Sequence, residues 1–105
     1  MIRDIRDHEF DRVLAETSLP MLIEFWKPGC GACQALLKEL ERVQQETVGR
    51  LLILKMNVEE NYQIPAELEI TSLPALTLYR NGEFDRFIGG LGTKAAILAN
   101  INLPD

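Results

Sequence analysis

The stretch MLIEFWKPGCGACQALLKELERV, residues 21–43, decides how the chain is read. MLIEFW is a short, nearly continuous apolar run of the kind found in a central strand buried on both faces. Lys27, Pro28 and Gly29 punctuate it. From Cys30 onward Leu36, Leu37, Leu40 and Val43 recur at helical spacing, with Gly49 as the expected stop. Both cysteines of the chain therefore stand between a buried strand and its longest helix. They are read as a redox pair, as half of a metal site, or as two small core residues.

Residues three apart inside a helix have Cβ atoms roughly 5–6 Å apart, whereas a disulfide needs roughly 3.5–4.5 Å. With Cys30 at the N-cap and Cys33 in the first turn, the first cysteine is free of helical dihedrals and the bond can close. The helix N-terminus supplies unpaired N–H donors and partial positive charge, both of which favour a thiolate on Cys30. Cys33, a turn further in, is expected to be shielded and to act second. A zinc site needs about four ligands, and the only histidine, His8, falls in the first helix with no second cysteine pair to join it. A metal shared between two chains is the form of that reading left open.

Outward from this junction, 105 residues suit one domain. A formal charge of -5, with the eleven Lys and Arg dispersed, lacks the basic stripe that nucleic acid requires. The longest apolar stretches fall far short of the roughly 20 residues that span a bilayer. MIRDIRDHEF has no continuous hydrophobic segment of a secretory signal, so a cytoplasmic chain is expected. In a reducing compartment a paired CxxC is more often catalytic than structural.

Ile2 to Ile5 is expected to form a short strand, with Asp7 as N-cap of a helix that presents Phe10, Val13 and Leu14 on one face. LLILKMNV, residues 51–58, reads as a further strand, and a short helical stretch is expected around Ala66 to Leu68. Ala75 to Tyr79 and Phe84 to Ile88 flank Asn81-Gly82, the strongest short-range hairpin signal. Thr93 is expected to cap a last helix that frays into Leu103, Pro104 and Asp105. The order β-α-β-α-β-α-β-β-α predicts a mixed sheet with helices on both faces, its working site at the carboxyl ends of the strands.

FWKPGCGACQ, the Ser72-Leu73-Pro74 step and the hairpin RNGEFDRFIGG together resemble the thioredoxin family, essentially from end to end of the chain. The resemblance implies an α/β thioredoxin fold: a central mixed five-stranded sheet flanked by about four helices. It implies protein-disulfide reduction with no bound cofactor beyond a redox-active Cys30-Cys33 disulfide, Cys30 being the nucleophile and Cys33 the resolving cysteine. Leu73-Pro74 matches the family's cis-proline step, and Gly89 or its neighbour Gly90 a glycine lining the substrate groove. Gly29, Gly31 and Ala32 complete the expected substrate surface. Glu24 stands where the family carries a buried Asp that helps deprotonate the second cysteine, and Lys55 matches the lysine near it. The implied partners are protein disulfides and a thioredoxin reductase or another dithiol donor, acting on a monomer.

Each of these positions also has a plainer reading: Glu24 facing water, Lys55 on the surface, Pro74 at a strand edge, Trp26 in the core beneath the site. Departures from the family pattern keep a disulfide oxidase or isomerase, and a binding module without turnover, as alternatives. Gly29 replaces a Trp, Ala32 a Pro, Gln34 a basic residue and Lys38 a helix-kinking Pro. Ala32 has a backbone N–H, which is expected to donate to the Cys30 sulfur and make the potential less reducing.

Overall fold

The computed structural model describes residues 1–89 and 92–103. Met21–Trp26 forms strand β2, the middle strand of five. Side chains alternate across a strand. Met21, Ile23 and Phe25 enter one cluster of buried side chains and Leu22 the opposite one, which is why the run is apolar almost throughout. Glu24 is the exception, two residues beyond Leu22 and on the same face.

Strand β1 (Arg3–Asp4) pairs in parallel with β3 (Leu52–Asn57), and β3 in parallel with β2; β4 (Ala75–Arg80) runs antiparallel to β2, and β5 (Glu83–Ile88) antiparallel to β4. The sheet order is β1-β3-β2-β4-β5. Helices α1 (Asp7–Glu16) and α3 (Gln63–Glu67) contribute Phe10, Val13 and Ile64 to one core. Helices α2 (Gly31–Glu46) and α4 (Lys94–Ile101) contribute Leu36, Leu40, Val43, Ile97 and Ile101 to the other. The mixed five-stranded sheet covered on both faces is the thioredoxin fold expected from the sequence. No helix among the described residues is long and apolar enough to cross a membrane.

Several local expectations shift. The first strand keeps only Arg3 and Asp4, flanked by the buried Ile2 and Ile5. Helix α2 ends at Glu46 with Thr47 as its C-cap, whose hydroxyl donates to the Val43 carbonyl at 2.9 Å; Gly49, at φ +79°, serves the turn that follows. The short third helix begins at Gln63 rather than Ala66. Asn81 and Gly82 both have positive φ, as a two-residue type I′ turn requires. Thr93 caps α4 by accepting from the Ala96 N–H at 3.2 Å. The expected fraying at Pro104 and Asp105 lies outside the described residues.

Asp7 does cap a helix, but a different one from the helix its sequence position suggests. Arg6 is the N-cap of α1, its N–H donating to Glu9 Oε1 at 2.9 Å. The Asp7 carboxylate instead accepts from the N–H groups of Gln63 and Ile64, each at 2.9 Å, at the start of α3. Tyr62, the N-cap of α3, contributes no side-chain hydrogen bond of its own, so the cap comes from 56 residues away. Asp7→Ala is expected to cost about 1–2 kcal/mol, the scale of a lost N-cap. The urea midpoint checks this, and hydrogen exchange should show the loss concentrated in α3.

Candidate active site

The chain leaves β2 through Lys27, Pro28 and Gly29. Cys30 N–H closes this turn by donating to the Lys27 carbonyl at 3.3 Å. Gly29 sits at φ +83°, and Pro followed by a positive-φ Gly is the pattern of a type II turn. A Cβ at Gly29 would meet nothing within 4 Å, so it is the backbone conformation rather than crowding that favours glycine.

Cys30 is the N-cap of α2 in extended conformation, and its sulfur accepts from the Cys33 N–H at 3.1 Å. The donor is therefore the third helical residue, Cys33, rather than the second, Ala32. In this disulfide form the bond to the Cys30 sulfur does not involve the Ala32 N–H, and Ala32→Pro would leave it in place. Cys30 and Cys33 form a disulfide with Cα atoms 5.2 Å apart. Cys30 is half-buried, whereas Cys33 is 1% exposed. Gly31 and Ala32 lie exposed in the first turn of the helix between them.

A separate cavity adjoins each sulfur-bearing residue. Cys30 lines a groove of about 420 Å³ together with Lys27, Val58, Pro65, Ile70, Thr71, Ser72 and Leu73. Cys33 lines a cavity of about 300 Å³ together with Glu24, Trp26, Gln34, Leu37, Lys38 and Lys55. The Leu73-Pro74 peptide bond is cis. Leu73 belongs to the groove wall, and Pro74 follows it, half-buried, at the head of β4. Gly89 is exposed just after β5 and is not among the residues lining the groove; Gly90 lies outside the described residues.

Glu24 is 1% exposed, and neither carboxyl oxygen has a hydrogen-bond partner among the described residues. The water-facing reading is thereby overturned. Burial pushes the carboxyl up to about 8, with the Lys55 ammonium acting in the opposite direction. Lys55 is the register neighbour of Glu24 on β3, half-buried, with its ammonium 5.0 Å from the Trp26 ring centroid. Trp26 is not the core residue expected. It sits at the end of β2, half-buried, and its Nε1–H donates to Asp4 Oδ1 at 3.1 Å. His8 is exposed on α1, and no group of three or more His, Cys, Asp or Glu among the described residues is placed to hold a metal.

The structure brings the expected Cys30 and Leu73 to the groove and the expected Cys33, Glu24 and Lys55 to the second cavity, whereas Val58, Pro65, Ile70 and Thr71 of the groove wall were not expected there. These come from the segment between β3 and β4, and only the apolar character of Val58, Pro65 and Ile70 in a loop-rich stretch signalled them. Lys27 and Lys38 also stand at the two cavities without having been expected there.

The junction of a strand, a tight turn and a disulfide-capped helix, sharing its groove with Leu73 of a cis Leu73-Pro74 bond, has clear relatives. The Thioredoxin family model matches residues 1–103. Thioredoxin of Rickettsia felis is 36% identical over 97% of this chain and 97% of its own length. Thioredoxin of Haemophilus influenzae is 37% identical over 75% of this chain and 74% of its own. The M-type chloroplastic thioredoxin of Spinacia oleracea is 26% identical over 95% of this chain and 55% of its own. On the strength of the family match and of relatives that align along nearly the whole chain, the protein belongs to the thioredoxin family.

Proposed function

We propose that this chain is a protein-disulfide reductase in which Cys30 and Cys33 cycle between dithiol and disulfide. The observation that carries the reading is the division of labour at the helix start: Cys30 borders an open groove, while Cys33 is buried beside a separate cavity holding an acid. In the reduced protein the Cys30 thiolate attacks one sulfur of a target disulfide, and the other target sulfur leaves as a thiolate and takes up a proton. Cys33 then loses its proton and attacks Cys30 Sγ, releasing the second target sulfur. Two electrons have passed to the target, leaving the Cys30-Cys33 disulfide to be reduced by a thioredoxin reductase or another dithiol donor.

Glu24 is the group in this proposal that takes the proton from Cys33, across the cavity both residues line. A carboxyl raised to about 8 is close enough to neutral pH to move a proton in either direction. Lys55 keeps part of the Glu24 population ionised. Leu73 and Pro74, with Gly29, Gly31 and Ala32, border the path of an extended partner segment. The chain acts as one domain, as a cytoplasmic monomer and without a bound cofactor.

Reduction of insulin in the presence of a dithiol donor tests the reading. Turnover above the donor's own rate supports it; a protein that binds partners without turnover would show none. Equilibration with glutathione then separates directions: a strongly reducing potential fits a reductase, and a clearly more oxidising one an oxidase or isomerase.

A further inference from the structure

Among the described residues Lys27 is the only charged one lining the groove beside Cys30; the rest of the wall is apolar or hydroxyl-bearing. The Lys27 side chain is exposed and has no ion-pair partner among the described residues. Its backbone is held next to the nucleophile, because the Cys30 N–H donates to the Lys27 carbonyl and the Pro28-Gly29 turn closes between them. Glu59 and Glu69 precede or follow groove residues in sequence, yet neither lines the groove, and Glu60 is engaged with Arg6 at 3.2 Å. Gly29 leaves the rim without a side chain, so Lys27 has no neighbour there to screen it from an arriving segment.

We infer that Lys27 is a specificity-determining residue, and that the preferred substrates are disulfides whose attacked cysteine is followed or preceded within two residues by Asp or Glu. This rests on the reductase reading and names its substrate class. A carboxylate reaching Lys27 gains an ion pair at contact distance only in the docked geometry, where the apolar wall of Val58, Pro65, Ile70 and Leu73 holds the rest of the segment. The overall charge of -5 acts the other way, repelling acidic partners at long range. At about 4 Å the local pair outweighs that field, which salt screens over roughly 8–10 Å.

The test uses disulfide-bonded peptides identical except for Asp, Asn or Lys at the positions flanking the attacked cysteine, with kcat/KM measured at low and high salt. Wild-type protein is expected to reduce the Asp peptides about threefold faster than the Asn peptides, the scale of one solvent-facing ion pair. Lys peptides are expected to react more slowly still, and added salt should shrink the spread. Lys27→Gln should flatten the order and Lys27→Glu invert it. Arg50→Glu, which changes net charge equally on an exposed residue beyond the far end of α2, should leave the order unchanged. Equal rates for all wild-type peptides, or an inversion by Arg50→Glu, would overturn the preference while leaving the reductase reading intact. Failure of wild-type protein to reduce any peptide with a dithiol donor present would overturn both.

Discussion

Cys30→Ser is expected to lose dithiol-dependent insulin reduction altogether, a fall of at least about a thousandfold, because a neutral hydroxyl cannot replace the attacking thiolate. Cys33→Ser is expected to lose turnover just as completely but in a different way. Its Cys30 still opens onto the groove and still attacks, so the first step proceeds and a mixed disulfide with the target accumulates. The asymmetry follows from the burial of the two residues, Cys30 half-exposed and Cys33 1% exposed. Mass spectrometry of protein mixed with insulin reads it directly. Adducts on Cys33 of the Cys30→Ser variant, at the level found for the reverse pair, would overturn the assignment of roles.

The second large effect concerns Glu24, on both rate and stability. At pH 7 a carboxyl raised to about 8 is roughly one-tenth ionised, and half ionised near pH 8. Resolution of the mixed disulfide should therefore speed up between pH 7 and 8 as the base form appears. Glu24→Gln should lower the rate at pH 7 at least about tenfold and remove that step from the pH profile. An unchanged rate and profile would take Glu24 out of the mechanism.

The stability effect has the opposite economy. The folded-state value lies above the ordinary 4.5, so the folded protein holds a proton that the unfolded chain releases. Stability is then lost as pH rises from about 4.5 to about 8, and the loss levels off above that. At pH 7 the linkage amounts to about 3 kcal/mol, falling to about 1 kcal/mol at pH 5. Glu24→Leu, which removes the buried carboxyl, should raise stability at pH 7 by about 3 kcal/mol and flatten its pH dependence. Urea unfolding of both proteins at pH 5 and pH 7 gives the comparison. A variant no more stable than wild type at pH 7 would mean that Glu24 is not held neutral. With both outcomes as expected, Glu24 would be a residue whose placement costs stability and serves proton transfer.

The legible part of the site was the part made by neighbours in sequence. Cys30 capping its helix follows from residues 27–33, where a turn signal meets the first helical turn. The Asn81-Gly82 hairpin was legible for the same reason, both residues taking the positive φ that this short turn demands. Gly29 was read as punctuation after the strand, as substrate surface and as a missing aromatic contact; the Pro28-Gly29 pair also carried the type II turn signal. Trp26 was misread because a Trp at the end of an apolar run looks buried. Where the strand emerges from its cover, the ring is instead shared between the Lys55 ammonium and the Asp4 carboxylate.

Alone, the sequence determined the order of strands and helices, the position of the cysteines at a strand-to-helix junction, and a chain without a basic face. Those properties rest on side-chain period, turn chemistry and charge, which act over a few residues. Only the tertiary structure decided that Glu24 is buried without a hydrogen-bond partner among the described residues, since its burial depends on α2 packing over the face of β2 that carries it, beside Lys55 of β3. It likewise decided that Asp7 caps a helix more than 50 residues away, and that Lys27 meets Val58, Pro65 and Ile70 around one groove. Such juxtapositions arise when distant segments pack against a common sheet, and no local pattern encodes which of them will meet.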